Sequence, residues 1–254
     1  MRSLPTRAAR SCHGTRPLRR LSLLGLLLLV SGAWACQSFW QGVRERERHY
    51  SIDHARDSVQ RGNCVKAMIS LERAQSSGDL GSFEAESIWL KARCLKRLGR
   101  GRESLAHMRM LGDFHADSQY ADALPEPVTH ELAALPLADA RKSAWSLSTP
   151  SNLDIPSARY SRAAERYHLT GGVRVLYSVE RDGSVADLRV IKSAHPLLAS
   201  WAIESLASAE VKDDGQKPSA SRRGASDFVF ASRWENSDED GEPWIVFFPK
   251  RDDP

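Results

Sequence analysis

The stretch Gly172-VRVLYSVERDGSVADLRVIKSAHPLLASWAIES-Leu206 decides how the C-terminal half of the chain folds. Val173, Val175, Tyr177 and Val179 alternate with other residues, the period of a strand with one buried face. Asp182-Gly183 then supplies the tight turn into a second strand that ends at Leu188-Arg-Val190-Ile191. His195-Pro196 opens a helix whose buried stripe is Leu198, Trp201, Ala202, Ser205, Leu206 and Ala209. Working outward, Tyr160, Ala163, Ala164 and Tyr167 sit at the i, i+3, i+4, i+7 spacing of a short amphipathic helix. Beyond the second helix, a polar stretch from Lys212 to Ser226 precedes two further expected strands, Phe228 to Trp234 and Trp244 to Phe248, around the acidic turn Glu235 to Glu242. Residues 155–254 therefore read as an α+β domain with a small antiparallel sheet and two helices.

The order Gly172, Val173, Val175, Asp182-Gly183, Val190, Ser193, His195-Pro196-Leu197 and Ala202 resembles the C-terminal domain of the TonB family over about residues 155 to 234. That family usually carries Tyr-Pro before its first helix and Trp-x-Phe-x-Pro after its second. Here those places hold Tyr160-Ser161 and Ala209, Val211 and Asp213. The resemblance implies a protein-binding function in which a partner peptide, in the family that of an outer-membrane transporter, pairs with an exposed sheet edge. On that basis Phe228, Phe230, Trp234, Trp244, Phe247 and Phe248 are the candidate partner-binding residues. The aromatics of the last strand have the alternative role of covering the sheet's own core.

Upstream, residues 50–123 read as all-α hairpins. Ala55, Ser58, Ala67, Leu71 and Ala74 recur at a constant offset of 37 as Ala92, Leu95, Ser104, Met108 and Leu111. Each block is interrupted by a glycine turn, Gly62-Asn63 and then Gly99-Arg-Gly101. Small residues at fixed places let antiparallel helices approach closely, and the pattern resembles a pair of tetratricopeptide repeats. The prolines at 125, 127, 136 and 150 make residues 124–154 an expected linker, with one short helix around Ala138 to Trp145.

The N-terminus carries targeting information. Residues 1–36 contain six arginines and no acid, whereas the rest of the chain has 30 basic and 32 acidic side chains. The overall charge of +4 therefore belongs to the first segment and does not describe a nucleic-acid surface. The apolar stretch from Leu21 to Ala35 is 15 residues, shorter than the ~20 of a spanning helix. With Ala33-x-Ala35 behind it, the segment 1–35 reads as a secretory signal peptide. Ala33-Trp-Ala-Cys36 resembles a bacterial lipobox, which implies acylation of Cys36 and a short stalk over 36–49 holding the chain on a lipid bilayer. Gln37 after that cysteine favours the periplasmic side of the outer membrane; an uncleaved single-pass anchor in the inner membrane, as in a TonB-type energy transducer, is the alternative.

Cys64 and Cys94 are then left as one disulfide or as two buried thiols. The sequence lacks Gly-x-Ser-x-Gly, His-Glu-x-x-His and P-loop motifs, so no catalytic residue, cofactor or metal is expected. His195 is expected to start a helix.

Overall fold

The computed structural model describes residues 23–161, 164–165, 167–211 and 221–231, with side chains from residue 42 onward. Residues from Met1 to Val43 and from Arg44 to Pro254 form two separate compact units. In the N-terminal part, Ala33 to Cys36 lie within helix α1 (Leu23–Gln60), which continues into the second unit.

Two helical hairpins come first, made by α1 with α2 (Cys64–Ser76) and by α3 (Glu84–Arg97) with α4 (Gly101–Phe114). All ten residues of the 37-residue repeat are buried. Gly62 and Gly99 share φ = 77°, the left-handed conformation that turns each hairpin. Asn63 Oδ1 then caps α2 by accepting from the Lys66 amide. In the second hairpin, Ser104 donates its hydroxyl to the Ala92 carbonyl at 2.8 Å, satisfying a polar side chain where a close helix contact admits only a small one. Cys64 and Cys94 are both free, buried thiols.

Residues 124–154 are not an extended spacer. They hold two helices, α5 (Glu126–Ala134) and α6 (Leu137–Trp145), each entered through a proline that pre-sets helical φ. Val128 of α5 packs with Ala92 and Met108. Ala140 and Ala144 of α6 pack with Leu176, Ile191 and Ala225 of the sheet. The prolines act as helix starters rather than as spacer residues, because each is followed by an apolar face with a surface to cover.

The main sheet contains β2 (Gly171–Val179), β3 (Val185–Ser193) and β5 (Arg222–Phe230), antiparallel in the order β3-β2-β5. A two-stranded ribbon pairs β1 (Leu153–Asp154) with β4 (Glu210–Val211). The third strand of the main sheet thus begins at Arg222, inside the polar stretch from Lys212 to Ser226 that was expected to precede it. That segment looked polar because the inward positions nearest its start are Gly224 and Ser226. The Tyr177 ring fills the space over Gly224, where a Cβ would lie 2.9 Å from it, and Tyr177 and Ser226 hydroxyls bond at 2.9 Å. The expected strand Trp244 to Phe248 lies outside the described residues, and of the short helix near 160–167 the structure describes helical backbone at 164–165.

Helix α7 (Pro196–Ala207) is buried on ten of its twelve residues, far beyond the stripe that periodicity marks. A helix that is apolar all round must be covered on all sides. One face of α7 lies on the sheet, where Trp201 meets Tyr160 and Phe230. Its other side meets the hairpins, whose Ile88, Ala106, Met110 and Leu111 belong to the same core cluster as Leu197 and Trp201.

Polar contacts reinforce this junction. His107 of α4 meets the Ser200 hydroxyl at 2.8 Å, and Arg100 pairs with Glu204 at 3.0 Å. Arg189 of β3 makes a bidentate pair with Asp113 of α4 at 2.7 and 2.8 Å, with both side chains 4% exposed. The hairpins, α5, α6 and the α+β domain therefore share one packed body within Arg44–Pro254.

Candidate functional site

An antiparallel sheet of three strands has two outer edges, and each is an unpaired row of backbone donors and acceptors unless something covers it. The β3 edge is covered. Helix α4 packs along it, Arg109 donates to the Leu188 carbonyl at 3.1 Å, and Arg141 of α6 donates to the Ile191 carbonyl at 2.7 Å. Arg109 is itself held by Glu131 of α5 at 2.9 Å.

The β5 edge is different. At its centre the Ala225 amide donates to the Ser148 carbonyl at 3.4 Å, and the Thr149 hydroxyl donates to the Ala225 carbonyl at 3.3 Å. A residue of an antiparallel strand sends both backbone groups to the same side. Ala225 therefore faces outward, and the unbroken register with β2 puts Asp227 and Val229 in the same phase. Past the Ser148–Thr149 contact, the outward backbone of Val229 is met by no element among the described residues.

The surroundings of that open half suit an extended peptide. Val229 is 51% exposed and lies on the same sheet face as Asp227. Arg174 forms an ion pair with Asp227 while donating to the Ala144 and Leu147 carbonyls, which ties the end of α6 to the strand. Its guanidinium lies 5.9 Å from the Trp145 ring, and Trp145 is 82% exposed. A large apolar ring, an exposed valine and open backbone groups thus share one end of the sheet.

The Phe228 and Phe230 side chains are buried rather than displayed on the surface. They are 1% and 2% exposed and lie in the core with Trp201, because the alternation of β5 turns them toward α7. Toward the end of that strand it is the Val229 side chain that is exposed, while Ala225 is covered by α6. Trp234, Trp244, Phe247 and Phe248 fall outside the described residues. Trp145 was missed because it sits in the stretch read as a linker, and only the packing of α6 brings it beside β5.

His195 opens α7 as expected. Its Nδ1 accepts from the Leu197 amide at 3.1 Å, so the proton of the neutral ring is on Nε2, which faces the Gly78 carbonyl at 3.3 Å. Burial holds its pKa below the ordinary histidine value. A cavity of about 400 Å³ beside it is lined by Asp79, Glu84, His115 and the apolar Ile88, Met110 and Phe114. Among the described residues no group of three or more His, Cys, Asp and Glu side chains is placed to hold a metal ion.

Fold and edge together define a class: a small α+β domain whose antiparallel sheet has its β3 edge covered and the end of its β5 edge met by no element among the described residues. Residues 156–226 match the family model described as Gram-negative bacterial TonB protein C-terminal, and the chain carries a domain of that family. Such domains are non-catalytic and interact with proteins such as outer-membrane transporters, which implies a location in the cell envelope. No curated protein and no solved structure matches the chain. Trp145 and the Ser148–Thr149 contact lie outside the matched residues, so they are features of this chain added to the family domain.

Proposed function

We propose that this protein is a non-catalytic adaptor lipoprotein on the periplasmic side of the outer membrane, which captures an extended segment of a transport or envelope-assembly protein on β5. The observation that carries the reading is the asymmetry of the sheet. Arginines and helices close the β3 edge, while no element among the described residues pairs with the outward side of β5 from Asp227 onward, beside Trp145. Backbone pairing supplies affinity, and Trp145 and Val229 select an apolar side chain at the position facing them. The hairpins, whose repeat resembles the tetratricopeptide type, give the domain a fixed platform. The acylated Cys36 holds the whole on the bilayer.

Val229→Pro tests this directly. Proline removes the outward N–H and crowds an incoming strand, yet an edge strand tolerates it where that N–H faces away from the sheet. The variant is expected to lose at least about ten-fold of the protein partners recovered after in-cell crosslinking, since one strand hydrogen bond and a steric clash together exceed ~1.4 kcal/mol. Its thermal unfolding should stay within a few degrees of the parent. Undiminished recovery would sink the edge model.

A second reading is an energy transducer with an uncleaved inner-membrane anchor, and the unbroken course of α1 through residues 33–36 favours it. Among the residues with described side chains no helix is long and apolar enough to cross a membrane. Intact mass of the native protein separates the two. The adaptor begins at Cys36 and carries acyl chains that Cys36→Ala abolishes, whereas the transducer retains residues 1–35.

A further inference from the structure

Cys64 is the first residue of α2 and Cys94 lies near the end of α3, so the two belong to different helical hairpins. Both face the core that α1, α2 and α3 share, at 4% and 0% exposure, among Ala67, Leu71 and Leu90. The two thiols belong to one buried cluster, in which α2 and α3 pack against each other. Two thiols buried in the same cluster between packed helices, in an oxidising compartment, are candidates for a cross-link.

We propose that Cys64 and Cys94 are joined by a disulfide as the chain folds in the envelope, stapling the first hairpin to the second. The inference rests on the envelope location given above and is independent of what binds β5. The bridge closes a loop of 31 residues that contains the turn at Gly78 and the 3-10 segment Gly81–Phe83. The Gly78 carbonyl in that loop faces His195 at the start of α7, so the staple also steadies a contact between hairpins and domain.

The chemistry is thiol–disulfide exchange with a periplasmic protein disulfide as oxidant. One cysteine thiolate attacks a sulfur of the oxidant, forms a mixed disulfide and releases the first oxidant thiol. The other cysteine then attacks its partner's sulfur and releases the second. The pair loses two protons and two electrons, which the oxidant takes up as two thiols. Timing follows from the packing. In the folded protein, burial and the neighbouring thiol push Cys94 up to about 12, so almost no thiolate exists at neutral pH and no oxidant can reach it. Oxidation therefore precedes the docking of α2 on α3, and a chain that folds reduced stays reduced.

Protein from an acid-quenched periplasmic fraction, alkylated in denaturant and digested with trypsin, provides the test. The expected product is the linked pair of peptides Gly62–Lys66 and Cys94–Lys96, which separates only after reduction. Refolding in reductant should lower Tm by about 10 °C, as a loop of this length implies, and Cys94→Ala should remove that sensitivity. Two alkylated cysteines in unreduced periplasmic protein would overturn the proposal while leaving the location intact. Recovery of the reduced chain solely from the cytoplasm would overturn both, and the β5 reading would remain to be judged by Val229→Pro.

Discussion

Replacing Asp113 with alanine is expected to destabilise the protein by about 3–5 kcal/mol, enough to consume a third or more of a typical domain's stability. The reason is the partner it leaves behind. Arg189 is 4% exposed, bonded to both Asp113 oxygens and, through Nη1, to the Leu135 carbonyl at 2.7 Å. Without the carboxylate, a guanidinium on the central body of β3 stays buried with a single carbonyl for company. Urea unfolding of the Asp113→Ala protein measures the loss. Removing both charges together, as in Asp113→Leu with Arg189→Met, should recover most of it, because an apolar pair of similar volume carries no desolvation penalty. A single variant within about 1 kcal/mol of the parent would show that α4 does not hold β3 in the way the geometry implies.

The second large effect is a loss of stability in mild acid through His107. Its Nδ1 proton goes to the Glu103 carbonyl at 2.7 Å, leaving Nε2 to accept from Ser200 on α7. Burial, with the positive charge of Lys91 as a smaller contribution, lowers its pKa to about 3. The unfolded chain binds a proton at this residue near pH 6.5, and the folded chain does not until about pH 3. Stability is therefore full above pH 6.5 and falls as pH drops, by up to about 1.4 kcal/mol per pH unit. His195, also held below its ordinary pKa by burial, adds in the same direction. Between pH 6.5 and 5, before most carboxylates titrate, His107 alone should remove about 2 kcal/mol. Urea midpoints across that window check this. In His107→Gln the slope should flatten whatever the variant's absolute stability, and an unchanged slope would exonerate the residue.

Both effects sit at the junction between the hairpins and the α+β domain, and neither could be anticipated from the linear pattern. Local signals were legible wherever one residue type has one physical use. The glycines at 62, 99 and 183 mark turns because their φ is positive. Valine alternation marked β2, and His195-Pro196 marked the start of α7. The helix repeat was readable because close packing of antiparallel helices restricts the contact positions to small residues. The start of β5 was not readable, since its inward positions are a glycine under a tyrosine ring and a serine satisfied by that ring's hydroxyl. Nor does anything local mark Arg109, Arg141 and Arg189 as arginines with distant partners. They are functional in closing β3, but an arginine that donates to a distant carbonyl has the same local sequence as one in water.

What the linear order of residues determined by itself was the set of elements: hairpins with a 37-residue spacing, then strand, turn, strand and helix in a TonB-like order. Those features depend on period, turn chemistry and capping, which act between residues close in the chain. Which sheet edge stays open, and whether Phe228 is a binding residue or core, was decided only by the tertiary structure. Edge exposure depends on contacts 50 to 79 residues apart in the chain, since Arg109 and Arg141 reach β3, and the Ser148–Thr149 segment reaches β5, only through tertiary packing.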